Sequence, residues 1–141
     1  MQIRNLGGSG LRVSAVGLGC NNFGLRTDLE TSRKVIHKAI DLGVTLFDTA
    51  DIYSAGASET ILGQALKGRR DEVLISTKAS FAMGPGPNDK GSSRFHLVRA
   101  CEASLKRLGT EHIDLYFMHG FDALTPVEET LGALDDLTRS G

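Results

Sequence analysis

The sequence predicts an α/β fold built on a mainly parallel sheet. Three observations predict it. Short apolar, partly β-branched runs recur along the chain. A stretch of helical periodicity follows each run, and the junctions carry residues that cap helices or turn the backbone. Strands that alternate with amphipathic helices lie parallel, because each helix carries the chain back across one face of the sheet. At 141 residues the chain has the size of one domain and can bury a core.

The elements follow in order. Residues 2–6 and 11–14 alternate apolar and polar around Gly7-Gly8-Ser9-Gly10, which reads as a hairpin. AVGLG (15–19) reads as a short buried strand. Thr27-Asp28-Leu29-Glu30 is a capping box, with Thr27 accepting from a free amide and Glu30 reaching back. Val35, Ile36, Ala39 and Ile40 then share a helical face, and Gly43 stops the helix. VTLFD (44–48) is the next strand. Ser58 is placed to cap a helix through Ile61, Leu62, Ala65 and Leu66 that ends at Gly68. VLIST (73–77) is a strand, followed by a Gly/Pro/Ser-rich loop over 81–93. A helix marked by Val98, Cys101, Leu105 and Leu108 stops at Gly109. IDLYFM (113–118) is the last strand. Thr125-Pro126-Val127-Glu128 caps a final helix with the apolar stripe Val127, Leu131 and Leu134. The order is a hairpin and then about four βα units. A doubly wound sheet satisfies it, and so does the first half of a (β/α)8 barrel, which typically takes about 250 residues.

Composition narrows the partners. Hydrophobic residues make up 40% and charged residues 23%, and the net charge is −1. Nothing in that balance calls for nucleic acid, an acidic polymer or a membrane surface. No apolar run reaches the roughly 20 residues needed to cross a bilayer. The start, MQIRNLGGSG, lacks the apolar core of a secretory signal. Cys20 and Cys101 stand apart without metal-ligand spacing, so two reduced thiols and no metal are expected, in a cytoplasmic setting.

Four residues carry the chemistry: Asp48, Tyr53, Lys78 and His119. Three sit at or just past the ends of strand-like runs, and Tyr53 lies five positions beyond one. Parallel strands of a barrel bring such ends to one rim. A free phenol, with a pKa of about 10, donates poorly near neutrality, and a neighbouring ammonium favours its conjugate base. Tyr53 is therefore the candidate proton donor and Lys78 the ammonium. Asp48 is placed to hold Lys78, and His119 to orient a substrate carbonyl. Taken singly, each has a plainer reading: a helix cap, a solvated charge, a packing aromatic, a structural histidine. Together, in order and on one rim, they favour proton transfer to a carbonyl oxygen. His37, His96 and His112 share no ligand spacing and read as surface or structural.

FDTADIYSAGASETILGQALKGRRDEVLISTK resembles the segment that carries Asp, Tyr and Lys in aldo-keto reductases. LRVSAVGLGCNNFG resembles their first strand and its loop, and EASLKRLGTEHIDLYFMH the approach to their histidine. The 81–94 loop and the GASE turn resemble most the bacterial and potassium-channel-β-like branch. The resemblance selects the N-terminal half of a (β/α)8 TIM barrel, with residues 1–141 as that first half only. It implies NADP(H)-dependent reduction of a small aldehyde or ketone without a metal, with Asp48, Tyr53, Lys78 and His119 as the catalytic set. Gly19, Cys20, Asn21 and Asp48 match cofactor-proximal positions. GLGCNN is not a dinucleotide fingerprint of the GxGxxG type, and tight packing is the plainer reading of Gly17 and Gly19. The resemblance assigns the aromatic that stacks on nicotinamide and the phosphate sites to the later half of the barrel. The expected alternative is a non-enzymatic half-barrel that self-associates or pairs with a C-terminal half.

Overall fold

The computed structural model describes residues 1–141. It opens on an antiparallel hairpin, β1 (Ile3–Asn5) and β2 (Arg12–Ser14). Ser14 anchors it: its N–H donates to the Thr45 hydroxyl and its own hydroxyl accepts from the Thr45 N–H, each at 2.9 Å.

Four parallel strands follow in sequence order: β3 (Gly17–Gly19), β4 (Leu46–Asp48), β5 (Leu74–Ala79) and β6 (Leu115–Met118). Helices α1 (Leu29–Asp41), α2 (Ala57–Ala65) and α3 (Arg94–Leu108) connect them, and α4 (Val127–Ser140) follows β6. Each strand starts later than its apolar run suggests. Val44 and Val73 lie in the core before regular pairing begins, so their apolar character reports burial rather than strand extent. Register sets Gly19 beside Asp48 and Asp48 beside Ser76, while Lys78 lies beside Phe117.

The two faces of the sheet differ. Phe47 and Ile75 point to the helices and join Ile36, Leu62, Leu66 and Leu108 in the main buried cluster. Ala79, Leu97, Ala100 and Ala133 form a smaller one beneath α3 and α4. Opposite lies the concave face, where Asp48 and Lys78 are half-buried and Phe117 is 47% exposed. No helix is long and apolar enough to cross a membrane.

Several local expectations need correction. Asp28, not Thr27, caps α1: its carboxylate accepts from the Thr31 N–H at 2.8 Å, and this bond holds its carboxyl below the usual range. The Thr27 hydroxyl bonds with the carbonyl of Asn22 and the hydroxyl of Ser32 instead. Ser58 lies inside α2, where its hydroxyl donates to the Cys20 carbonyl and bonds with Thr49. Thr125 donates to Asp122 rather than capping α4, and Pro126 takes the cap position. Helical faces also rotate from their expected positions. α3 buries Leu97, Ala100, Ser104 and Leu108, while α4 buries Thr130 and Ala133 and exposes Val127 and Leu131. Val35 of α1 is exposed as well.

The closest crossing involves Gly63 of α2: a Cβ there would lie 2.1 Å from the Leu108 carbonyl oxygen of α3. Gly132 of α4 has open space around it. Gly63→Ala should therefore destabilise the chain by roughly 2–3 kcal/mol through overpacking. Gly132→Ala should stabilise it by up to about 1 kcal/mol through helix propensity. Urea denaturation of the two variants checks this, and equal midpoints would refute it.

Candidate active site

The pairing of β4 with β5 builds the centre of the site. Side chains two apart on a strand share a face, so Ser76 and Lys78 both face the concave side beside Asp48. The Ser76 hydroxyl donates to Asp48 Oδ1 at 2.8 Å. Lys78 Nζ donates to Asp48 Oδ2 and to the Thr49 carbonyl, each at 2.7 Å. Three hydrogen bonds thus converge on the end of β4, and the two from Lys78 fix the ammonium.

Tyr53 sits on a turn, Tyr53–Gly56, that leads into α2. Ser54 and Ala55 both take φ of 52°, and Gly56 takes φ of 90°. Two consecutive non-glycine residues in the left-handed region cost on the order of 1–2 kcal/mol each. The Ser54 hydroxyl, donating to the Phe23 carbonyl at 3.0 Å, is one tie that holds them. The turn lays the Tyr53 ring beside Lys78, whose ammonium is 5.2 Å from the ring centroid. The ammonium thus meets the ring, while its hydrogen bonds go to Asp48 and Thr49.

His119 follows β6 directly and is tied by its N–H to the Ala79 carbonyl at 2.8 Å. Its ring stands edge-on to Tyr53, 5.5 Å between centroids, and tilts against Phe81 at 4.7 Å. Its Nδ1 is buried without a hydrogen-bond partner. Burial, then the Lys78 charge, holds the imidazole below its ordinary pKa, which favours the neutral ring at neutral pH.

The structure therefore brings Asp48, Tyr53, Lys78 and His119 to one rim. Gly19 and Asn21 reach the same rim and are exposed, and a Cβ on Gly19 would meet nothing within 4 Å. Cys20 departs from expectation. Its side chain lies in the main core, and burial, with Asp48 adding to it, pushes its thiol up to about 12. Only its backbone serves the rim, donating to the Asp48 carbonyl at 2.8 Å. Among the other histidines, His37 bonds the Ala65 carbonyl at 2.8 Å, His96 is buried and His112 is exposed. No group of His, Cys, Asp and Glu is arranged to hold a metal ion.

Sequence reading missed Ser76, Ser80 and Phe81. Ser76 was detectable, since it stands two residues before Lys78 on the same strand face. The Ser80 hydroxyl accepts from the Gly120 N–H at 2.9 Å and ties the β5 and β6 loops together. No sequence signal marks that tie.

Asp51, just behind the rim, is fully buried, and neither carboxylate oxygen has a hydrogen-bond partner. Burial, then the charge of Glu59, raises its carboxyl to about 6. The unfolded carboxyl titrates near 4. Between those values the folded state holds the extra proton, so stability falls as pH rises through the window. At about 1.4 kcal/mol per unit, the loss is on the order of 3 kcal/mol. Asp51→Asn should therefore shrink the stability difference between pH 4.5 and 7.5 by about 2 kcal/mol. Urea denaturation at the two pH values reads this directly, and an unchanged difference would refute it.

The parallel strands with their outer helices, and a charged rim at the strand ends, define part of an α/β barrel. Residues 15–141 match the aldo/keto reductase family, and the chain belongs to it. Over its whole length it is 43% identical to a probable voltage-gated potassium channel subunit beta of Arabidopsis thaliana, covering 44% of that protein. It is 44% identical to L-glyceraldehyde 3-phosphate reductase of Escherichia coli K12, covering 43% of it. The structure of aldo-keto reductase AKR11C1 from Bacillus halodurans, a holo form, matches with a TM-score of 0.88 at 37% identity. That match covers all of this chain and 47% of the other. The chain thus spans under half the length of these relatives, and the four-strand sheet corresponds to the N-terminal half of their barrel.

Proposed function

We propose that these residues form the proton-donating part of an NADPH-dependent site that reduces small aldehydes or ketones to alcohols in the full-length parent. The observation that carries this reading is the Lys78 ammonium, held by Asp48 and the Thr49 carbonyl beside the Tyr53 ring. Tyr53 gives its proton to the carbonyl oxygen. Charge left on the phenol is then stabilised by the ammonium, which Asp48 keeps in place. His119, neutral near pH 7, donates a hydrogen bond that orients the carbonyl, and Phe81 limits the tilt of its ring.

The residues present fit the nicotinamide end of such a cofactor. Gly19 leaves open space at the rim, Asn21 is exposed, and the Asp48 carboxylate stays 41% exposed beyond its ion pair. When bound, NADPH supplies the hydride to the carbonyl carbon. The names of the Escherichia coli and Bacillus halodurans relatives support an oxidoreductase of carbonyl groups, and two free thiols suit the cytoplasm.

A second reading rests on the open sheet. β3 and β6 are edge strands, and Phe117, Phe121, Leu124, Val127 and Leu131 are exposed near the β6 side. Exposed edges invite pairing, which supports reading this half-sheet as a module that self-associates or pairs with a C-terminal half. A compact monomer at micromolar concentration in sedimentation would exclude obligatory assembly.

In the parent, Tyr53→Phe should lower turnover by about 10²–10⁴-fold and leave NADPH affinity nearly unchanged. NADPH oxidation with 4-nitrobenzaldehyde measures both effects, and intact turnover would remove Tyr53 from the acid role. The isolated chain should bind NADPH weakly and show no appreciable turnover. Positioning two reactants supplies about 7–11 kcal/mol; Tyr53, Lys78 and His119 address the carbonyl oxygen, and Gly19, Asn21 and Asp48 fit the nicotinamide end alone, which leaves the other end of the dinucleotide unheld.

A further inference from the structure

Behind the rim, on the helix side of the sheet, lies a second polar cluster. Glu59, in the first turn of α2, is fully buried. Its Oε1 accepts from the Thr77 hydroxyl at 2.6 Å, and its Oε2 accepts from Arg107 Nε of α3 at 2.5 Å. Arg107 also donates to the Ser104 hydroxyl at 3.1 Å. The two partners of this one carboxylate lead to the two ends of the proton-donating pair.

Thr77 directly precedes Lys78 on β5. Its side chain points to the helices while that of Lys78 points to the concave face, so a bond to Thr77 pins the strand at the level of the ammonium. Arg107 leads to the other end. Its Cδ lies 2.7 Å from where a Cβ on Gly56 would be, so the side chain lies flat across Gly56. Gly56 closes the turn that carries Tyr53, with its two strained residues Ser54 and Ala55. Such strain persists only where the surroundings hold it.

We propose that Glu59 and Arg107 are positioning residues that hold Tyr53 against Lys78 from behind, Glu59 through Thr77 and Arg107 through Gly56. The proposal rests on the reading of Tyr53 and Lys78 as proton-donating machinery. Energetics favour positioning over stability as the use of this pair. A buried ion pair contributes little net stability, and an apolar pair of similar volume often replaces it without loss.

That property supplies the test. Glu59→Leu combined with Arg107→Met removes the brace without leaving either member of the pair as an unpaired charge. The chain holds two tyrosines, Tyr53 and Tyr116. Labelling with 3-fluorotyrosine therefore gives two fluorine resonances, assigned by Tyr53→Phe. In the double variant the Tyr53 resonance should move more than halfway to its position in the urea-unfolded chain, while that of Tyr116, which feels the same two charges, should stay well away from its own unfolded position. Ile36→Ala, destabilising in the main core but outside the hydrogen bonds of the brace, should leave both in place. Should the double variant not fold, Arg107→Lys, which keeps the charge but loses the planar fork, should shift Tyr53 in the same direction by less. An unmoved Tyr53 resonance in a folded brace variant overturns the proposal.

Kinetics of the parent separate this idea from the functional reading beneath it. With the brace removed, kcat should fall about 10–100-fold, as for a small misplacement of a reacting group, with KM and NADPH affinity within threefold. Turnover that survives Tyr53→Phe sinks the functional reading, and the fluorine spectra still decide whether the brace positions Tyr53. Turnover that depends on Tyr53 but survives brace removal sinks the brace.

Discussion

Asp48 and Lys78 meet because β4 and β5 run parallel in a register that sets Asp48 against Ser76. From that pairing the rest of the rim follows. Ser76 fills one carboxylate oxygen, and Lys78, two residues on, fills the other. The strand alternation that turns Lys78 inward turns Thr77 outward to Glu59. A slip of one residue would exchange these faces, burying the lysine among the helices and breaking both sets of bonds. The register is protected by Phe47 and Ile75, fully buried on the helix side, which no slipped arrangement could keep there.

The rim and the layer behind it divide the work. On the concave side, polar groups are partly open and can meet a substrate. On the helix side, the fully buried Glu59 pairs with the half-buried Arg107, beside an unpartnered Asp51. Three ionisable groups in so small a volume are a poor route to stability. Their position, directly behind a strained turn and a strand end, gives them a geometric use instead.

The sequence made the strands, their order and the four rim residues legible, because each rim residue stands at or near a strand end and strand ends follow from local pattern. Helix caps were less legible. Thr27 and Asp28 are both competent caps, and the choice fell to Asp28, whose backbone takes the extended cap conformation. Ser58 had every local mark of a cap, yet a partner 38 positions away took its hydroxyl. Glu59 and Arg107 lie 48 positions apart on different helices. Their meeting depends on the α2–α3 crossing at Gly63, and local pattern carries no information about that. The apolar pattern of α4 marks Val127 and Leu131, yet these face outward, while Ala133 packs with Leu97 and Ala100 and the Thr130 hydroxyl donates to the Ser92 carbonyl.

The open concave face sets the strength of the site. Lys78 lies 5.2 Å from the Tyr53 ring centroid. The attraction between such an ammonium and any charge left on the phenol weakens as the dielectric around them rises. Asp48, 41% exposed, feels the same dilution in its pairing with Lys78. The residues of the rim are placed by the half-barrel, but their electrostatic effect grows only as water is displaced from the concave face. Covering that face would therefore strengthen the proposed proton donation by Tyr53 without touching the reacting atoms.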